Sequence, residues 1–294
     1  MRSPLGRFPL LPRKKNTDKS AYGHVLVAAG SKHLSGAPRL VSRASLVSGA
    51  GWVTVAIPEV IREVFSKKAL PELMHLSLPQ TKDGSLASSA AAPILSFIRT
   101  RGVSCLVLGP GLTYAPPTSA LVRKLVKSVS APIVLDADGL NAFKGRAREL
   151  KKHRGPVVLT PHAGEFERLF SAACPGSSKE RAVLAKKLSR LYDVTIVLKG
   201  HRTLVVRRDR VYENRTGNPG MAKAGSGDVL AGIIGAFIAQ GLDPFKAACW
   251  AVYFHGLAGD KAVKVKSELG LLASDIIDFL PVCWSSSAGR ATVL

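Results

Sequence analysis

The sequence predicts an α/β protein: a three-layer α/β/α domain around a mostly parallel, doubly wound central sheet. Short apolar runs rich in β-branched residues recur from about Gly23 onward. Each run ends in Gly, Asp, Thr-Pro or Lys-Gly, and a longer stretch of helical periodicity often follows it. Strands covered on both faces by crossover helices read as near-continuous apolar segments, which is the pattern seen here.

Strands are expected at residues 24–28, 53–57, 105–108, 133–135, 157–159 and 195–198. Residues 203–206 and 210–212, joined across Arg207-Arg208-Asp209, read as an antiparallel hairpin. Helices are expected at 37–48, 87–100, 118–126, 165–170, 178–192, 229–240 and 244–264. The division that follows is an N-terminal extension, 1–22, a single domain, 23–284, and a small polar tail, 285–294, expected to be flexible. Sheets of this kind bind ligands beyond the carboxyl ends of their strands, so chemistry is sought there.

With 294 residues and 46% hydrophobic content, the chain can bury a large core, which excludes disorder and a disulfide scaffold. Cys105, Cys174, Cys249 and Cys283 form no CxxC pair and there is no histidine cluster, which argues against a zinc site. A reducing cytoplasm is expected. Pro4, Pro9 and Pro12 interrupt the short apolar run at the start, so no signal peptide is read there, although organelle targeting stays open. No stretch is long and apolar enough for a membrane span, so no membrane association is expected. The formal charge of +22 attracts polyanions, but its basic residues are dispersed without interleaved aromatics. A solvated surface is the expectation, and nucleic acid is not an expected partner.

The sharpest local signal is Gly225-Ser226-Gly227-Asp228, followed at once by Val229-Leu230-Ala231-Gly232. A glycine-rich turn opening an apolar helix is an anion site, because the first-turn N–H groups lack intrahelical partners and the helix dipole favours negative charge. Asp228 has two readings. Ionised at neutral pH, its carboxylate can take the proton of a hydroxyl that attacks phosphorus; otherwise it is an N-cap without catalytic duty. No GxxxxGK[ST] or GxGxxG occurs, which disfavours both common nucleotide-binding motifs. Gly109-Pro110-Gly111 at a strand end suits a pyrophosphate or is simply a turn. In Thr160-Pro161-His162-Ala163-Gly164-Glu165, Pro161 forces Thr160 extended and stops the strand abruptly. Glu165 there can hold a magnesium-bound water or face solvent in a first helical turn, and His162 can be a ligand contact or a satisfied surface histidine. Lys199-Gly200 places a cation at a strand end, and Leu135-Asp136-Ala137-Asp138-Gly139-Leu140-Asn141 puts Asp136 and Asn141 on a strand-to-helix turn. Each feature is ordinary alone; at successive strand ends they surround one crevice.

These residues resemble the ADP- or ATP-dependent NAD(P)H-hydrate dehydratases, a ribokinase-like family. The match covers nearly the whole chain in family order, and its most specific element is Gly217-Asn218-Pro219-Gly220-Met221-Ala222 leading into Gly-Ser-Gly-Asp, combined with Thr-Pro-His. The resemblance implies a nucleotide-repair lyase whose substrates are NADHX and NADPHX, the hydrated dinucleotides, in the S form. The ring hydroxyl is phosphorylated by ADP or ATP with Mg2+, then lost as phosphate to restore NADH or NADPH. It implies Asp228 as the base and as a substrate contact, with Ala37, Gly111 and His162 holding the dinucleotide. Lys199, Gly200, His201, Arg202, Thr203, Gly225, Ser226 and Gly227 are the implied contacts of the adenine nucleotide, and Glu165 the implied magnesium position. It further implies a separate NAD(P)HX epimerase in the pathway and a homo-oligomer. The chain departs from the family pattern at Ser226 (Thr), Ala224 (Gly), Ala163 (Pro), Thr113 (Gly) and Asp18 (His), and Thr113 adds bulk where a glycine gives room. Two rivals remain, a small-molecule kinase of the same fold and a catalytically silent nucleotide- or nucleic-acid-binding module.

Overall fold

A computed structural model of the chain describes residues 5–10, 13–68 and 70–287. The prolines at 4 and 12, and residues 288–294 of the expected tail, lie outside the described residues.

The strands are β1 (His24–Ala28), β2 (Trp52–Pro58), β3 (Met74–Leu78), β4 (Cys105–Leu108), β5 (Ile133–Leu135), β6 (Val157–Leu159), β7 (Thr195–Leu198), β8 (Leu204–Arg207) and β9 (Arg210–Glu213). They form one nine-stranded sheet in the order β3-β2-β1-β4-β5-β6-β7-β8-β9. From β3 to β7 all pairs are parallel, and the β7–β8 and β8–β9 pairs are antiparallel. The strands foreseen from the sequence are all present, and the hairpin turns through Arg208-Asp209.

The helices are α1 (Gly36–Val47), α2 (Arg62–Lys68), α3 (Ala91–Thr100), α4 (Pro116–Ser128), α5 (Asp138–Asn141), α6 (Ala163–Phe170), α7 (Ser178–Tyr192), α8 (Ser226–Ala239), α9 (Pro244–Gly270) and α10 (Ala273–Ser287). Besides the one-turn α5, three elements were not foreseen. β3 is an edge strand whose first residues are exposed, so it carries little apolar signal, and α2 buries only Phe65. In α10 an internal proline, Pro281, obscures the helical pattern.

The strand residues alternate between two cores. Val25, Val27, Val107 and Val134 face the layer of α1, α8, α9 and α10, whereas Leu26, Ala28, Leu108 and Leu135 face that of α3, α4, α6 and α7. Helix α8 is apolar all round because it lies between the sheet, α1 and α9, with every residue from Val229 to Ala239 buried. Phe8, in the N-terminal extension, is only 4% exposed. Its ring meets Phe237, Trp250 and Phe254 at centroid distances of 5.1, 5.1 and 4.8 Å. No helix among the described residues is long and apolar enough to cross a membrane.

The chain moves outward from β1 to β2 and β3, then returns to pair β4 on the other side of β1. This reversal opens a crevice between the carboxyl ends of β1 and β4.

Candidate active site

The loops that leave β1, β4, β5, β6 and β7 are tied to one another in sequence of strand position. Gly30 N donates to Pro110 O at 2.9 Å, linking the β1 and β4 loops. Gly109 has φ +130°, and a Cβ on it would lie 1.9 Å from Asp136 O, so only glycine lets these two turns touch. The Gly-Pro-Gly element is therefore a packing requirement as well as a turn. Thr160 Oγ1 donates to Asp136 Oδ1 at 2.6 Å, which joins β6 to β5. Lys199 N donates to Pro161 O at 2.8 Å and joins β7 to β6.

Asp136 and Lys199 form the floor of this arrangement. Asp136 is buried, and Lys199 Nζ donates to its Oδ1 at 2.9 Å and lies 3.5 Å from Glu165 Oε2. Burial alone pushes the Lys199 ammonium down, but the carboxylates of Asp136 and Glu165 more than offset this and hold its pKa above the ordinary value. The lysine stays charged. Its ammonium neutralises buried acids, a duty that a solvated strand-end lysine would not have.

Glu165 is buried as well, and its Oε2 accepts from His162 N at 2.9 Å. In return His162 Nδ1 accepts from Gly164 N at 3.1 Å, so the two residues form a capping box that starts α6. The alternative of a solvent-facing glutamate is thus removed: its carboxylate is withdrawn between the cap and Lys199. His162 keeps an exposed ring, with its side chain 54% accessible. Among the described residues no three His, Cys, Asp or Glu side chains group as a metal cage. The donors present fit a magnesium ion that is held mainly by water and nucleotide phosphates, with one carboxylate such as Glu165 nearby.

Helix α8 begins above this floor. Gly225 is its N-cap, with φ +89°, and makes no side-chain cap bond; Asp228 stands in the first turn. The capping alternative for Asp228 is thereby removed, since no hydrogen bond or ion pair reaches its carboxylate among the described residues. Burial, together with the nearby carboxylate of Asp136, pushes its pKa up to about 7, and Lys199 only partly opposes this. The expectation of a fully ionised aspartate at neutral pH is corrected by that desolvation. Gly227 lies directly over the ion pair, where a Cβ would come within 3.2 Å of Lys199 Nζ.

A cleft of about 830 Å³ opens beside α8. Its walls include His162, Lys199, Gly200, His201, Arg202, Thr203, Ser226 and Gly227, which brings together most of the residues expected at the nucleotide. Gly225, Glu165 and Asp228 adjoin this cleft without lining it. Ala37 and Gly111 meet each other at the β1–β4 crevice instead, where a Cβ on Gly111 would be 3.1 Å from Ala37 Cβ. Thr113 adopts φ +65°, but its N–H donates to Asp138 Oδ2 at 2.9 Å and its hydroxyl pairs with Ser85 Oγ at 2.9 Å. Its bulk is thus bonded into the loop.

One residue of the cleft, His255, and one behind it, Asp260, were missed by sequence reasoning. His255 Nε2 lies 3.0 Å from Ser226 O and steadies the start of α8, while burial pushes its pKa down to about 4, so the ring is neutral. Asp260 accepts from Gly217 N at 2.9 Å and Asn218 Nδ2 at 3.0 Å, pinning the Asn-Pro-Gly-Met segment to α9. His255 interrupts, and Asp260 ends, the apolar run 247–259 of α9, which is the sequence signal that could have found them.

A family profile described as NAD(P)H-hydrate dehydratase matches residues 25–282. The bifunctional NAD(P)H-hydrate repair enzyme of Moorella thermoacetica is 43% identical over 273 residues, covering 92% of this chain and 51% of that protein. The chain thus spans about half the length of such bifunctional relatives. The ADP-dependent (S)-NAD(P)H-hydrate dehydratase of Neisseria meningitidis is 34% identical, covering 92% of this chain and 88% of that protein. The crystal structure of the ADP/ATP-dependent NAD(P)H-hydrate dehydratase of Bacillus subtilis, co-crystallised with ATP and Mg2+, superposes with a TM-score of 0.78. It is 29% identical and covers 96% of this chain and 95% of its own. A ribokinase-like superfamily protein of Enterococcus faecalis also reaches a TM-score of 0.78, at 26% identity over 94% of this chain and 92% of its own. From the profile, these relatives and the shared fold, the chain belongs to the NAD(P)H-hydrate dehydratase family.

Proposed function

We propose that this chain dehydrates the S forms of hydrated NADH and NADPH at the expense of ADP or ATP. The observation that carries this reading is Asp228, a carboxylate without a partner among the described residues, at the start of α8 and poised near neutrality beside the Lys199–Asp136 pair. A general base needs a pKa near the working pH and an open hydrogen-bonding position, and Asp228 has both.

In the proposed reaction Asp228 accepts the proton of the ring hydroxyl as its oxygen bonds to the terminal phosphorus of the nucleotide. The bond from that phosphorus to the bridging oxygen breaks, releasing AMP from ADP or ADP from ATP. The N–H groups at the start of α8, with Gly225 and Gly227 leaving room, receive the developing charge on the transferred group. Lys199 and the 200–203 turn hold the remaining nucleotide phosphates. Phosphate then leaves with the electrons of the carbon–oxygen bond, the neighbouring ring carbon loses a proton, and NADH or NADPH is restored. Ala37, Gly111 and His162 hold the dinucleotide. Glu165, with the nucleotide phosphates, would hold a Mg2+ ion, which would supply charge neutralisation. An epimerase acting on the other form of the hydrate is the expected partner in repair, and assembly into a homo-oligomer is part of the same proposal.

The test incubates the protein with chemically hydrated NADH or NADPH, Mg2+ and either nucleotide, while the NADH absorbance band is followed. Its return with release of phosphate is expected for both substrates. A stable phosphorylated product would instead assign a kinase, and absence of turnover with salt-sensitive DNA binding would assign a binding module.

A further inference from the structure

The strand-end motif that supplies Asp136 also contains Asn141, which the proposed reaction leaves without a task. Asn141 is half-buried at the end of α5, and its amide is engaged at both atoms. Nδ2 donates to Asp138 Oδ1 at 3.2 Å, and Oδ1 accepts from Arg168 Nε at 3.1 Å. The other Asp138 oxygen accepts from Thr113 N at 2.9 Å, two residues beyond Gly111. One chain of bonds therefore runs from the Gly111 loop to the Arg168 guanidinium.

This chain fixes the plane of an exposed cation while leaving its charge intact. Among the described residues no carboxylate lies within ion-pairing distance of Arg168, and its orienting partner is a neutral amide. Arg168 stands one turn after Glu165 on the same face of α6. Its Nη1 and the Cε1 of His162 flank Gly164, at 3.4 and 3.2 Å from the place a Cβ there would occupy. The first N–H groups of α6 are already taken by His162 Nδ1, so they offer no anion site of their own. The free Nη1–Nη2 edge is the part of a guanidinium that matches two oxygens of a phosphate.

We propose that Arg168, oriented by Asn141, is a substrate-binding residue that takes a phosphate of the hydrated dinucleotide. This rests on the reaction proposed above. Arg168 is joined through Asn141, Asp138 and Thr113 to the Gly111 loop and flanks His162, two positions expected at the dinucleotide. It does not line the cleft formed by residues 199–203 and the start of α8.

The test compares Arg168→Gln, Arg168→Lys and Asn141→Ala with the parent at saturating nucleotide and Mg2+, alongside melting curves. Arg168→Gln is expected to raise KM for hydrated NADH by about 10- to 100-fold, with kcat changing much less. The lysine variant is expected to recover part of the loss, because it restores charge without the fork, and Asn141→Ala to show a smaller rise. On the hydrated nicotinamide nucleoside, which has no phosphate, parent and variants are expected to coincide. Equal losses on hydrated NADH and NADPH assign the pyrophosphate, and a loss on hydrated NADPH alone assigns the 2′-phosphate. An unchanged KM for both, or the same loss on the phosphate-free nucleoside, overturns the proposal while leaving the reaction standing. Calorimetry with NADPH separates the two ideas. If the parent restores no NADH yet binds NADPH, and Arg168→Gln weakens that binding, the reaction fails and the phosphate contact stands.

Discussion

At Asp228 two effects oppose each other: burial and the Asp136 carboxylate favour the protonated form, and Lys199 favours the ionised one. Between the ordinary carboxylate range and about 7 the native state holds a proton that the unfolded chain has released, so this group lowers stability as pH rises through that window. Asp228→Asn is therefore expected to melt higher than the parent at about pH 8, with the gap shrinking towards about pH 5. The same variant is expected to lose about 10²-fold or more in turnover. For the parent, kcat/KM for hydrated NADH is expected to rise with pH through an apparent pKa of about 7. A variant that restores NADH at the parent rate would remove Asp228 from the chemistry. Lys199→Ala has a second consequence besides weaker nucleotide binding. Removing one member of a buried ion pair costs about 3–5 kcal/mol because the remaining charges lose their partner. Denaturant unfolding is expected to show a loss of about 3 kcal/mol at neutral pH.

Helix α8 carries the site by its first turn, and the direction in which it starts depends on Gly225. The left-handed φ of +89° there is strained for any residue with a Cβ, which would also meet Leu40 Cδ1 at 2.5 Å. Gly225→Ala is expected to cost about 1–2 kcal/mol by denaturant unfolding. Turnover is expected to fall by about 10-fold or more, since sub-ångström placement of the attacking group governs rate. Equal turnover in parent and variant would mean that the start of α8 does not position the reaction. At this scale the sequence was highly legible where burial was complete. β4, β5, β6 and β7 begin and end at the residues expected, because strands buried on both faces show uninterrupted apolar runs. β3 was not legible for the opposite reason: at the sheet edge its first residues meet solvent.

Across the molecule, the N-terminal segment and the layer of α8, α9 and α10 share one core. Phe8 packs on Phe237 of α8 and on Trp250 and Phe254 of α9, far along α8 from Asp228. Phe8→Ala is expected to cost about 3–5 kcal/mol, the usual range for a buried phenylalanine, with kcat and KM close to parental below the melting transition. A small change in Tm would show that the segment is only loosely attached.

The sequence by itself determined the layered fold, the strand ends that surround the candidate site, and the glycine-rich start of α8. Apolar periodicity and turn chemistry are local properties, written within a few residues of the element they produce. Only the tertiary structure decided that Lys199 lies 2.9 Å from Asp136, 63 residues away, and that Glu165 caps its own helix beside them. It alone decided that Asp228 titrates near neutrality, that His255 holds Ser226, and that Asn141 aims Arg168. Each of these depends on desolvation or on contact between distant segments, and neither exists until the sheet has brought its strand ends together.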